Sequence, residues 1–159
     1  MNNVFISHYG EDEEQLDRLK ELLKTKGYDA RNSSVEKKDY KRNYEVSDAL
    51  IARYLRRCIK WAGTFIVLIG EDTHTRPWVN YEIRSAAKQG KTIIGIYERG
   101  CKDNVELPEA FNRYGTSLLG WGSIDTLGEI ISGEKLPMEN FDSSPSAPIH
   151  NIIRIRCNS

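Results

Sequence analysis

Short apolar runs alternate along this chain with segments whose apolar residues recur every three or four positions. Val4-Phe5-Ile6-Ser7 is a compact apolar run ending in a polar loop, which predicts a buried first strand. Glu11, Asp12, Glu13 and Glu14 follow, where a helix N-terminus favours negative charge. Leu16, Leu19, Leu22 and Leu23 then continue at helical spacing until Gly27 offers a C-terminal stop. Residues 28–32 predict a second, weaker strand, and Val46, Ala49, Leu50 and Leu55 predict one face of a second helix. Thr64–Ile69 is apolar on both faces, as a central parallel strand must be. Pro77 suits the first turn of a third helix and Gly90 its end. Thr92–Tyr97 predicts a fourth strand, in which Gly95 marks a close backbone approach or a bulge. Residues 98–116 read as a long connection with a short helix at 108–112. Residues 117–121 predict a fifth strand, and Ser123 an N-cap for a last helix ending near Ile131. This alternation predicts an α/β fold: a doubly wound, flavodoxin-like parallel sheet of five strands, with helices on both faces.

After Gly133 the pattern stops. Pro137, Pro145, Pro148 and several serines read as linker, so the expected organisation is one domain over 1–133 and a linker and tail over 134–159. Within the tail, Ile149–Ile155 has the composition of an edge strand or a partner-binding segment. Residues 33–43 form a polar, basic loop.

Charge narrows the partners. The 159 residues carry 23 basic and 23 acidic side chains, so no global field draws nucleic acid or an anionic membrane. Cys58, Cys101 and Cys157 form no CxxC spacing, so no metal site is expected; Cys58 reads as a buried thiol. This cysteine usage and the lack of a basic-then-apolar leader after Met1 suit a cytoplasmic protein. The longest apolar run, Phe65–Gly70, is far too short to span a bilayer.

In doubly wound sheets ligands bind beyond the carboxyl ends of the strands. That rule selects Ser7-His8-Tyr9-Gly10, the loop 33–43, and the loop from Gly70-Glu71-Asp72 into the third helix. Trp78 and Glu82 are four residues apart and share a helical face. The bland reading makes Trp78 a core anchor and Glu82 a solvated carboxylate or a partner of Arg84 or Lys88, the commoner fate of helix glutamates. The functional reading is that a carboxylate beside an aromatic wall stabilises, or attacks, the cationic ribose carbon formed when a nicotinamide–ribose bond breaks. His8 and His74 are candidate bases, although lone loop histidines are more often polar surface residues; His150 reads as incidental. Tyr81 reads as a packing residue and Asn80 as exposed, while Asn112, Arg113 and Tyr114, before the fifth strand, are candidates to touch a ligand although a plain loop is the commoner case. No Gly-rich phosphate loop is present.

Phe5-Ile6-Ser7-His8 with its acidic helix start resembles the first box of TIR domains, and Trp78-x-x-x-Glu82 resembles the Trp-x-x-x-Glu motif of NAD⁺-consuming TIR domains. With Leu68-Ile69-Gly70, Arg76-Pro77-Trp78-Val79-Asn80-Tyr81-Glu82-Ile83 and Gly90-Lys91-Thr92-Ile93-Ile94-Gly95-Ile96, residues 3–131 are similar to the TIR-like proteins of bacterial Thoeris anti-phage defence. The resemblance implies a TIR-type sheet and NAD⁺ as a substrate, with no further cofactor. It implies Glu82 as the catalytic residue, with Phe5, Ser7, His8, Tyr9 and Trp78 around the substrate. It further implies nicotinamide release, a cyclic ADP-ribose-type messenger acting on a separate effector protein, self-association, and a gating or assembly role for 33–43. One departure stands out: His8 and Tyr9 occupy a loop in which TIR enzymes often carry a basic residue. The competing readings are a non-catalytic TIR-type interaction scaffold and a nucleoside deoxyribosyltransferase, which uses a glutamate on a related fold. A response-regulator receiver needs an Asp at the end of the third strand, a Ser or Thr after the fourth and a Lys after the fifth. Here those strands end in Gly70-Glu71-Asp72, Tyr97-Glu98 and Trp121-Gly122, and the pattern fails in two of the three places.

Overall fold

The strands β1 (Asn3–Ser7), β2 (Asp29–Asn32), β3 (Thr64–Ile69), β4 (Thr92–Tyr97) and β5 (Ser117–Leu119) form one sheet in the order β2-β1-β3-β4-β5. Every neighbouring pair is parallel, as the alternating pattern predicts. The computed structural model describes residues 3–9, 13–32 and 48–147. The readings of Gly10, Glu11, Asp12, the loop 33–43, Val46, His150, Cys157 and Ile149–Ile155 fall outside that range.

Strand parity sorts the core into two layers. Phe5, Phe65, Val67, Ile69, Ile93, Tyr97 and Leu118 point to one face. There they meet α2 (Asp48–Trp61), α3 (Pro77–Lys88) and α4 (Glu109–Tyr114) through Ile59, Val79, Ile83, Ala86 and Phe111. Val4, Ile6, Ile66, Leu68, Ile94, Ile96 and Leu119 point to the other face. They meet α1 (Glu13–Thr25) and α5 (Leu127–Ile131) through Leu16, Leu19, Leu23, Leu127 and Ile130. A slip of one residue in any strand would exchange these two sets, so the register is tightly specified. The sequence of crossovers places the topological switch between β1 and β3.

Several local expectations shift. On α2 the buried stripe is Ile51, Leu55 and Ile59, while Ala49 and Leu50 face solvent and Cys58 is half-buried. Apolar residues ring the start of this helix, so periodicity alone does not choose between adjacent stripes. Ser123 caps no helix; it lies inside a 3-10 segment, Trp121–Thr126, where its carbonyl accepts the Thr126 hydroxyl at 2.7 Å. Gly95 marks a close approach, because a Cβ there would lie 2.6 Å from Phe111 Cζ, and its pairing with Val67 and Leu118 is unbroken.

The stretch whose composition reads as linker folds back onto the sheet as far as residue 147. Leu118 N–H donates to the Pro137 carbonyl and Glu139 N–H to the Leu118 carbonyl, each at 2.9 Å, so Met138 bridges β5 in parallel. The chain then turns through Ser143, at φ 67°, and Glu139 faces Pro145 in an antiparallel bridge. Asn104, in the connection after β4, holds the same arm: its Nδ2 donates to Asn140 Oδ1 at 2.8 Å and its Oδ1 accepts Phe141 N–H at 2.9 Å. Among the described residues no helix is long and apolar enough to cross a membrane.

Candidate functional site

Ser7 closes β1 and shares the parity of Phe5, so it faces the α3 layer at the carboxyl edge of the sheet. The direction of α3 is set by Arg76-Pro77. The residue before a proline is held extended, and Arg76 has φ −88° and ψ 111°, while Pro77 opens the helix. Val79, Ile83 and Ala86 then bury one stripe against the sheet, and Glu82 is carried inward with them.

Glu82 is only 3% exposed. The Ser7 hydroxyl donates a hydrogen bond to its carboxyl, while Oε2 has no hydrogen-bond partner among the described residues. Burial pushes its pKa up to about 8, and the Ser7 bond opposes the rise. Arg84 and Lys88 lie exposed and form no ion pair with it among the described residues. The bland reading of a solvated or ion-paired glutamate is therefore excluded. A buried carboxyl held by a single donor is costly to ionise alone and readily ionised when a cation lies against it.

Tyr9, two residues beyond Ser7, is half-buried and senses two charges of opposite sign. Burial raises its hydroxyl pKa, Arg76 lowers it, and Glu82 raises it. The Arg76 guanidinium lies over the Tyr9 ring, 4.8 Å from its centroid. In the sequence Arg76 stands only as the first residue of the run Arg76-Pro77-Trp78, with no role attached to it.

The remaining predicted site residues divide. His8 is half-buried beside Tyr9. Trp78 is half-buried, edge-on to Tyr81 at 5.4 Å and 84°. Tyr81 is the packing residue expected: its hydroxyl donates to Ala52 O on α2 and accepts from Arg56, both at 3.3 Å. Phe5 is 1% exposed and stacks on Phe65 at 5.7 Å, which makes it part of the core beneath the site. Asn80 is not exposed: its Oδ1 accepts Ala110 N–H at 2.9 Å and so satisfies a donor in the first turn of α4. Asn112, Arg113 and Tyr114 belong to α4 and not to a plain loop. His74 pairs through Nε2 with Glu106 at 3.2 Å, tying the turn before α3 to the connection after β4. No group of His, Cys, Asp and Glu among the described residues is arranged to hold a metal ion.

Residues 5–103 match the family model of the TIR-like domain of Thoeris protein ThsB, and the chain belongs to that family. It is 36% identical over 59 residues to a Bacillus cereus (strain MSX-D12) protein named "Putative cyclic ADP-D-ribose synthase ThsB1". That similarity covers 37% of this chain and spans 31% of the relative's length. Among solved structures, the TIR domain of the Toll-related receptor TRR-2 from Hydra magnipapillata is similar at a TM-score of 0.53 and 18% identity, covering 82% of this chain and 93% of that one. A 2-deoxyribosyltransferase from Bacillus psychrosaccharolyticus is similar at a TM-score of 0.51 and 16% identity, covering 77% and 90% respectively. At such identities the likeness is one of fold, which a TIR domain and a deoxyribosyltransferase share, so the chemistry has to be argued from the site.

Proposed function

We propose that this chain is an NAD⁺ glycohydrolase and ADP-ribosyl cyclase of Thoeris anti-phage defence, with Glu82 as its reactive carboxylate. The observation that carries the reading is the state of that carboxyl: buried, bonded among the described residues only by Ser7, and set at the switch point of the sheet. A solvated interaction surface has no use for such a group, which weighs against the scaffold alternative. The curated relative's name points to the same chemistry.

The bond that breaks joins the ribose C1′ to the nicotinamide nitrogen. Its electron pair goes to the ring, so nicotinamide leaves neutral and no strong acid is needed. The positive charge passes to the ribose, where the ionised Glu82 stabilises it or bonds to it transiently. Water then adds hydroxide to C1′ and releases a proton, giving ADP-ribose; alternatively a nucleophile of the substrate's own adenosine half closes a cyclic ADP-ribose. NAD⁺ brings the cation that the Glu82 pocket lacks, so substrate binding itself favours the carboxylate. Within Thoeris defence, the cyclic product is the messenger to a separate effector protein, self-association gathers the TIR-like domains, and the cytoplasmic NAD⁺ pool is the substrate source.

Incubating the purified chain with NAD⁺ and resolving the products by mass spectrometry tests this. Nicotinamide with linear or cyclic ADP-ribose is expected, and Glu82→Gln should stop its release while keeping the fold. Full activity in Glu82→Gln would remove Glu82 from the chemistry. Release of a free base from deoxynucleosides, with NAD⁺ left untouched, would favour the deoxyribosyltransferase alternative.

A further inference from the structure

We infer that Arg76, stacked on Tyr9, is the diphosphate-binding residue of this site, making it selective for dinucleotides over nucleosides. The inference rests on the proposed NAD⁺ chemistry and adds a subsite to it.

Among the described residues no carboxylate lies within salt-bridge distance of Arg76, whereas Arg99 reaches Glu14 at 3.7 Å. Arg76 forms no ion pair with Glu82 among the described residues, so the reactive carboxyl is not the partner of its charge. It is held in place by backbone and ring together. The Pro77 restriction fixes its main chain, its carbonyl accepts the N–H of Asn80 at 3.3 Å, and the Tyr9 ring lies 4.8 Å under the guanidinium.

Tyr9 links this cation to the reactive centre: its ring carries Arg76, and it stands two residues beyond Ser7, which bonds Glu82. Arg76 is the N-cap residue of α3 and Glu82 lies six residues further along, so a guanidinium and a buried acid stand apart on the same helix. That polarity matches a ligand with a cationic pyridinium at one end and an anionic diphosphate following it. A guanidinium lying over an aromatic ring can still present N–H groups to phosphate oxygens, and an arginine already held by a ring loses little entropy when it binds them. Nucleosides, which carry no phosphate, gain nothing from this arrangement.

The test uses titration calorimetry on the full chain carrying Glu82→Gln, which prevents turnover, with NAD⁺, ADP-ribose and nicotinamide riboside as probes. Adding Arg76→Met should weaken NAD⁺ and ADP-ribose binding by about tenfold or more and leave nicotinamide riboside unchanged, with Arg76→Lys intermediate. Tyr9→Phe should keep the affinity and Tyr9→Leu should lose part of it. A thermal melt of each variant checks the fold. Equal losses for all three probes would make Arg76 a merely structural residue, and no loss, or no ADP-ribose binding to the parent, would overturn the subsite. If the wild-type chain binds ADP-ribose through Arg76 yet releases no nicotinamide, the subsite stands and the proposed reaction falls.

Discussion

Ser7 at the end of β1 and Glu82 on α3 share one hydrogen bond, and it satisfies only one side of a carboxyl that is otherwise shut away from water. The bond favours the ionised form, against the larger effect of burial. In Ser7→Ala the Glu82 pKa should therefore climb above its value of about 8. A hydrogen bond to a charged group contributes roughly 1.5–3 kcal/mol, so kcat/KM for NAD⁺ at neutral pH should fall about ten- to a hundredfold. The pH–rate profile decides the matter: its rising limb should move to higher pH, and an unmoved limb with normal activity would separate Ser7 from the carboxyl.

The raised pKa also predicts how stability depends on pH. Between the ordinary glutamate value of 4.5 and about 8, the folded chain keeps a proton on Glu82 that the unfolded chain has lost. Stability is therefore lost as pH rises through that window, and none of this cost is present below it. In the same window the carboxylate form needed for catalysis becomes populated, so kcat/KM should rise with pH toward about 8. Glu82→Gln removes the ionisation. The variant should be more stable than wild type by an amount growing to several kcal/mol at pH 8 and vanishing near pH 4.5, measured by urea unfolding across that range. Equal stability of the two proteins at pH 8 would contradict the buried-acid account.

Gly95 and Phe111 make a size prediction. A methyl group on Gly95 would sit 2.6 Å from the Phe111 ring, which is fully buried and has little room to retreat. Gly95→Ala should cost about 1–3 kcal/mol by overpacking. Phe111→Leu alone should also destabilise, through the cavity it leaves. Combined, the two should cost less than their sum, as a double-mutant cycle would show; simple additivity would mean that the contact does not constrain the strand.

Asn80 predicts a local effect. Asn80→Ala removes the acceptor for Ala110 N–H and should cost about 1 kcal/mol, the usual range for losing a helix-end bond. Hydrogen exchange should accelerate at the α4 amides and leave β3 protected. Unchanged exchange at Ala110 would show that the bond contributes nothing.

The sheet was readable from the sequence because its signals are redundant. β3 and β4 are apolar on both faces, and Pro77 and Gly90 bracket α3 on either side of a helical pattern. α2 was misread where apolar residues ring the helix, so that the choice between Leu50 and Ile51 depends on packing partners far away in sequence. Of the candidate site, Ser7 is legible because it ends β1 at a predictable parity, and Glu82 because it follows Trp78 by four residues on one face of α3. Arg76 is not: its importance depends on the side-chain meeting with Tyr9, 67 positions earlier, which no local pattern encodes. Phe5 shows the converse: the box along the sequence joins it to Ser7 and Tyr9, yet it is 1% exposed and stacked on Phe65 in the core beneath them.

The arm that pairs with Leu118 also has a consequence during biosynthesis. β5 emerges from the ribosome about twenty residues ahead of Met138 and Glu139, so over that interval the flank of the sheet has no cover. The composition break at Gly133 looks like a natural place to shorten the protein, yet a chain cut there would keep that nascent state permanently. Its strand would offer unpaired backbone groups to any similar strand nearby, and the last described segment is what covers that edge.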